Sequence, residues 1–156
     1  MRSIVTCVVN AHDHRLIALA ALVCTIGVYA TFAIGAHAYR ATGRERRSWS
    51  ITGVVAAGST AWATHFIALL AFRPGMEAGF EPVLTAVSLL TAIVIIGSGL
   101  ILAVNTRRPT VRFTAGAILG CGVTALHYLG QAAYVVVGTV TWDWTLVATS
   151  LVQASA

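Results

Sequence analysis

The sequence has very little charge and contains no lysine. Only 10% of its 156 residues are charged, whereas 58% are hydrophobic, and the mean hydropathy is +0.83. A soluble domain carries about 25% charged residues, so this chain cannot cover a surface that faces water. The composition excludes a soluble globular domain and predicts an integral membrane protein whose main partner is the lipid bilayer.

The patterns that mark most enzymes are also missing. The three cysteines show no CxxC spacing and no disulfide framework. The sequence has no Ser/His/Asp arrangement, no HExxH motif and no glycine loop that could bind phosphate. All five acidic residues lie in predicted loops, which counts against a proton-coupled transporter. The sequence therefore predicts a protein that is not an enzyme.

The net charge of +5 is the sum of ten arginines, most of which lie between apolar runs, and five acidic residues. No DNA- or RNA-binding motif accompanies them, so nucleic acid is excluded as a partner. Arginine in short loops between membrane spans sets the orientation of the protein. The charge is thus interpreted as a topology signal.

Four apolar runs are each long enough to cross a bilayer, which needs about 20 residues. They cover residues 16–37, 51–72, 83–104 and 113–138, and a fifth run at 145–156 is too short for a full span. The sequence predicts an all-α, polytopic transmembrane bundle of four full spans plus a partial fifth.

The arginines also predict the orientation of these spans. Seven of the ten lie in the loops after the first and third runs, around residues 40–47 and 107–112. The positive-inside rule places both loops in the cytoplasm and the N-terminus outside. Residues 1–11 are then a short extracytoplasmic segment, without the apolar region of a cleaved leader.

Two histidines lie inside the apolar runs. His65 is followed directly by Phe66, and His127 is followed directly by Tyr128. A histidine in hydrocarbon costs free energy unless it has a partner, so each one suggests a functional site. Hydrogen bonding between helices is the alternative interpretation.

The two histidine segments belong to an internal repeat. The offset of 62 between His65 and His127 also relates residues 84–86 to 146–148, and an offset of 68 relates residues 16–19 to 84–87. The repeated unit is a helix pair, of which two copies are complete and a third has begun. Sites in membrane proteins tend to form where such copies meet.

Both histidine helices are predicted to run outward, with each imidazole about 10 Å below the outer interface. Imidazole is a ligand for copper, zinc, iron and nickel, so His65 and His127 are candidate metal ligands. His12 and His14 lie just outside the membrane. They either complete the metal site from above or are ordinary interfacial residues.

The two histidine segments, at 62–66 and 126–130, resemble the signature of the MHYT domain, as do the basic inner loops and residues 12–16. The resemblance covers residues 12–156. It implies a bacterial integral-membrane sensor module, typically of seven helices, followed by cytoplasmic cyclic-di-GMP, cyclase or kinase output domains. It also implies that a metal, suggested to be copper, is bound and used to sense oxygen, carbon monoxide or nitric oxide.

The sequence departs from this family at its methionines. Thr64 and Leu126 replace the methionine before each histidine, and Leu69 and Gln131 replace the methionine that follows. Thioether ligands are the ones that select copper(I). The metal ligands carried over by the resemblance are His65, His127 and the N-terminal His14.

The leading hypothesis is therefore a sensory module of the bacterial inner membrane. It would signal through an output domain or partner protein that this chain does not contain, either as a monomer or as a homo-oligomer. The alternatives are a structural or assembly subunit whose histidines only bridge helices and, ranked lowest, a small-solute channel or transporter.

Overall fold

The computed structural model of the protein describes residues 12–73, 78–106 and 108–136. Within these residues, four helices are long and apolar enough to cross a membrane. They are α1 (His14–Arg40), α2 (Gly43–Ala71), α3 (Pro82–Asn105) and α4 (Pro109–Ala133). The predicted all-α bundle with four spans is confirmed, and the protein is a multi-pass membrane protein. The predicted partial fifth span at 145–156 lies outside the described residues.

The turn between α1 and α2 is shorter than predicted. Only Ala41 and Thr42 separate the two helices, because Gly43 adopts a φ of 55° and α2 begins there. The prediction of a basic loop around residues 40–47 is therefore partly wrong, because residues 44–47, including the acid at position 45, are helical. Arginine and glutamate are good helix formers, so the helix continues past the end of its apolar run.

Helix α3 contains a π-helical turn at its centre. Residues Ala92–Ile96 form this π segment between the α-helical parts Pro82–Thr91 and Gly97–Asn105. Gly58 of α2 packs directly on it, because a Cβ added at Gly58 would lie 2.3 Å from the Cα of Ile93. The backbones of the two helices are therefore in contact at this point. π-helical turns are rare and frequently occur at functional sites.

Helix α4 ends earlier than predicted. The sequence indicated a span to residue 138, but α4 stops at Ala133, and Tyr134–Val136 form strand β2. β2 pairs antiparallel with β1 (Ala78–Phe80), which lies in the segment predicted as a loop. Tyrosine and valine favour extended backbone, so the chain leaves the helix where a strand partner is available.

Helix α2 is central to the bundle, because it packs on α1 and on α3. Helix α4 packs mainly on α3. The core contains Ala92, Ile96 and Leu126, with Trp62 packed against them. The indole Nε1 of Trp62 donates a hydrogen bond of 3.0 Å to Oγ of Ser88, which is fully buried. Many large apolar side chains on the outside remain exposed, as expected for helices in lipid.

In each helix pair, α1–α2 and α3–α4, a backbone hydrogen bond joins the start of the first helix to the end of the second. The backbone N–H of Asp13 donates to the carbonyl of Ala71 at 2.7 Å, and that of Glu81 donates to the carbonyl of Ala133 at 2.8 Å. Asp13 and Glu81 also accept backbone N–H groups as the N-caps of α1 and α3. The two donors, Asp13 and Glu81, are 68 residues apart, and the two acceptors, Ala71 and Ala133, are 62 residues apart. These are the offsets of the sequence repeat, so the repeat is present in the structure.

A pair of aromatic rings lies beside each of these two backbone hydrogen bonds. His12 lies against Phe72 in the first pair, and Phe80 lies against Tyr134 in the second, with 5.3 Å between ring centroids in both. Each helix that carries an intramembrane histidine is thereby fixed to its neighbour. This arrangement gives His65 and His127 the same height in the bundle.

Candidate functional site

The structure brings His65 and His127 together. His65 precedes the end of α2 at Ala71 by six residues, and His127 precedes the end of α4 at Ala133 by six. Their ring centroids are 5.3 Å apart, with an angle of 66° between the ring planes. The two imidazoles therefore lie edge to face at one level, about 9 Å from the end of each helix.

Each imidazole packs against the aromatic residue that follows it. The rings of His65 and Phe66 meet edge to face at 5.7 Å, and those of His127 and Tyr128 meet at 5.4 Å. Phe66 also packs on Phe80, with 5.1 Å between centroids. Aromatic packing of this kind holds a ring in one orientation. The strand β1 thus supports the site, a role that the sequence did not reveal.

Gly130 makes room for His65. A Cβ added at Gly130 would lie 2.3 Å from Nε2 of His65, so any larger residue would displace the imidazole. Nε2 of His65 is buried and has no hydrogen-bond partner. Buried polar atoms usually have a partner, so this unpaired nitrogen calls for an explanation. The sequence singled out Gly130 only through the family signature.

The other histidines lie apart from this pair. His14 is the first residue of α1 and is exposed. In the part of the chain that the structure describes, no group of three or more His, Cys, Asp or Glu residues could hold a metal ion. His14 thus does not join the pair in one cluster, and its role as a ligand stays a prediction. His37 lies near the opposite end of α1, against Trp49.

The sequence matches a known family over most of its length. The family MHYT, described as a bacterial signalling protein N-terminal repeat, matches residues 58–116 and 120–156. The chain belongs to the MHYT family. The two matched segments begin at residues 58 and 120, which is the same separation as that between His65 and His127.

Three relatives are similar to this MHYT chain. A signalling protein of Caulobacter vibrioides is 38% identical over 96% of the chain. The bifunctional diguanylate cyclase/cyclic di-GMP phosphodiesterase MucR of Pseudomonas aeruginosa is 32% identical over 86% of it. The cyclic di-GMP phosphodiesterase NbdA of the same organism is 34% identical over 69% of it.

The chain spans only a small part of these relatives. It covers 18% of the Caulobacter protein, 20% of MucR and 14% of NbdA. The similarity therefore concerns the MHYT module and does not carry over the relatives' catalytic activities. No solved structure matches the chain.

Proposed function

We propose that this chain is the sensory module of a membrane signalling system and that His65 and His127 together bind one metal ion. The single observation that carries this proposal is the meeting of the two imidazoles, 5.3 Å apart, at the level where the two repeats adjoin. Membership of a bacterial signalling family supports it. The module itself has no catalytic role in this proposal.

The geometry of the pair fits a shared metal ion. Two imidazoles that bind one metal at about 2 Å through nitrogen have ring centroids roughly 5 Å apart when the arrangement is tetrahedral. The distance between His65 and His127 agrees with that value. The unpartnered Nε2 of His65 supplies a ring nitrogen that no other group uses. Both side chains are partly buried, so the protein would exclude most water from the ion.

Copper is the ion that the family suggests, and imidazole is a good ligand for it. It would supply an open coordination position at which a diatomic gas or a change of redox state could be sensed. The thioethers that favour copper(I) are absent, because Thr64 and Leu126 precede the histidines. Imidazole nitrogen also binds copper(II), so we propose that the site takes up that oxidation state.

The rival hypothesis is that the two histidines only bridge helices in a structural subunit. Bridging stabilises a bundle through hydrogen bonds between the side chains. Nε2 of His65 makes no such bond, although it is buried. This orphaned nitrogen favours ligand binding over a bridging role.

The proposed output lies beyond the described residues. Two of the similar proteins are named as enzymes of cyclic di-GMP turnover, so we propose that this module controls a cytoplasmic output of that kind in a linked domain or a partner protein. The arginine-rich ends of α1, α2 and α4 share one side of the bundle. We propose that this side is cytoplasmic and that the N-terminus and the histidine pair lie toward the outside.

Metal analysis of the purified protein tests the proposal. After incubation with copper(II) and removal of excess ion, the wild type should retain one copper per chain. His65→Ala and His127→Ala should each lower the affinity at least roughly tenfold, because each removes a ligand. His37→Ala is the matched control and should bind like the wild type, since His37 lies at the other end of the bundle. A wild type that retains no metal would contradict the proposal and favour the structural subunit.

A further inference from the structure

The two ends of the bundle differ strongly in charge. Among the described residues, the histidine end has two arginines and two acids, which are Arg15, Arg73, Asp13 and Glu81. The opposite end has one acid, Glu45, and six exposed arginines. These arginines form the arginine patch, which consists of Arg40, Arg44, Arg46, Arg47, Arg108 and Arg112. The patch therefore has an excess of positive charge that the described residues do not neutralise.

A hydrogen bond between helices brings the arginines together on one surface. The guanidinium of Arg46, in the first turn of α2, donates to Oδ1 of Asn105 at 2.7 Å. Asn105 is the last residue of α3 and precedes Arg108 by three residues. The start of α2 thus lies beside the turn that leads into α4, and the arginines of both helices share this side of the bundle.

Most guanidinium groups of the patch have no partner within the protein. The one acid nearby, Glu45, accepts a hydrogen bond from Nε1 of Trp49 at 3.4 Å and makes no ion pair in the part of the chain that the structure describes. Four arginines make no side-chain hydrogen bond or ion pair within the described residues, and these are Arg40, Arg44, Arg47 and Arg108. Their charges are available to an external anion.

The helix starts at the two ends differ in the same sense. Helices α1 and α3 begin at the histidine end, where the carboxylates of Asp13 and Glu81 cap them. Helices α2 and α4 begin at the arginine patch, and neither Thr42 nor Arg108 caps them with its side chain. The start of a helix carries a partial positive charge that favours anions. The two uncapped helix starts therefore add to the positive charge of the patch.

The depth of the patch in the membrane favours a lipid as the source of the anion. Arg44 and Arg47 precede Ile51, where the apolar run of α2 begins, by seven and four residues. They lie about 6–10 Å beyond the start of that run along the helix axis. The headgroup layer extends about 5–8 Å beyond the hydrocarbon on each side of a bilayer. The guanidinium groups are thus at the level of the lipid phosphates.

We propose that the arginine patch binds the headgroups of anionic phospholipids. Guanidinium donates two parallel hydrogen bonds to a phosphate, so Arg44, Arg47 and Arg108 suit this ligand. The proposal is independent of the metal site, because the patch lies at the opposite end of the bundle. It also holds in either orientation of the protein, because it depends only on the depth of the arginines in the membrane.

Titration of phosphatidylglycerol into the full chain in a neutral detergent tests this proposal, with native mass spectrometry to count the bound lipids. The wild type should bind phosphatidylglycerol saturably and more tightly than phosphatidylcholine. Arg44→Gln, Arg47→Gln and Arg108→Gln should each weaken this binding roughly fivefold, because each removes a charge at the headgroup level. Arg15→Gln is the matched control, since it removes the same charge from an exposed position at the histidine end, and it should bind like the wild type.

Several results would overturn the proposal. They are equal affinity for the two lipids, equal weakening by Arg15→Gln and Arg44→Gln, or unchanged affinity when all three patch arginines are replaced. Displacement of the lipid by an equal concentration of inorganic phosphate would assign the patch to a soluble anion, and displacement by polyglutamate would assign it to an acidic protein. Copper content of the same samples separates this proposal from the metal site, because the variants retain both histidines and should bind copper like the wild type.

Discussion

At the scale of single residues, the site depends on two histidines and on the glycine that admits one of them. His65 and His127 could be predicted as a pair from the sequence, because they are ionisable residues in matching apolar surroundings at a fixed offset. The importance of Gly130 to this pair could not be predicted in that way. It depends on the approach of α4 to the ring of His65, which only the packed structure shows.

Gly130→Ala should impair metal binding more than folding. The added Cβ would lie 2.3 Å from Nε2 of His65, so the ring must rotate away from its position beside His127. We expect the copper affinity to fall roughly tenfold, while the rotation costs about 1 kcal/mol of stability. Copper titration and thermal unfolding of the same sample measure the two effects. In the control Gly116→Ala the new Cβ meets nothing within 4 Å. Unchanged copper affinity in Gly130→Ala would show that copper binding does not need the observed position of the His65 ring.

At the scale of helices and strands, hydropathy located the spans but not their ends. Helix α2 begins at Gly43, ahead of the apolar run, because arginine and glutamate also form helix. Helix α4 ends at Ala133 within an apolar sequence, because strand pairing competes with the helix. The π-helical turn Ala92–Ile96 carries no local signal that the sequence analysis could use. It arises where α2 and α3 meet at Gly58.

Gly58→Ala should destabilise the bundle strongly. The new Cβ would lie 2.3 Å from Cα and 2.5 Å from N of Ile93, and backbone atoms cannot rotate aside as a side chain can. Helices α2 and α3 must therefore separate, at a cost of about 3 kcal/mol. Unfolding in a detergent–denaturant series, with Gly116→Ala as the control, measures this cost. Equal stability of the two variants would mean that the close contact at the π segment is not required.

The N-cap of α1 should make stability dependent on pH in the acid range. The backbone N–H of Arg15, and with it the guanidinium of Arg73, lowers the pKa of Asp13 from its usual 3.8. Because the pKa is lowered in the folded protein, this contribution is present above about pH 4 and is lost as the pH falls through the folded value. Asp13→Asn keeps an N-cap side chain without the charge. Its melting temperature should therefore fall less between about pH 5 and pH 2 than that of the wild type.

A melting temperature that falls equally in Asp13→Asn and the wild type would contradict this role for Asp13. Thermal unfolding in one detergent at constant ionic strength makes the comparison direct. The salt concentration must be fixed because Arg73 is largely exposed, so its ion pair with Asp13 is screened by salt.

At the scale of the whole molecule, the sequence predicted a multi-pass bundle of repeated helix pairs, and the structure has both features. The sequence could not predict which helices would leave a cavity between them. Helix α2 is central, and α1 and α4 lie on either side of the space that contains the two imidazoles. That arrangement follows from close helix contacts that hydropathy does not encode.

The proposed orientation predicts which loops can be labelled from outside the cell. In a background without native cysteines, Gly79→Cys lies on the strand near the histidine end, and Thr42→Cys lies at the arginine-rich end. A membrane-impermeant maleimide should modify Gly79→Cys in intact spheroplasts and Thr42→Cys only after lysis. The reverse pattern would place the N-terminus and the histidine pair on the cytoplasmic side.

The most direct test of the account asks whether both imidazoles bind the same ion. Pulsed electron paramagnetic resonance of the copper(II)-loaded protein counts the imidazole nitrogens bound to the metal. The adjacent rings of His65 and His127 predict two imidazoles in the wild type and in His37→Ala, and no more than one in His65→Ala or His127→Ala. A wild-type spectrum without imidazole coupling, or one that His65→Ala and His127→Ala leave unchanged, would contradict a shared metal site.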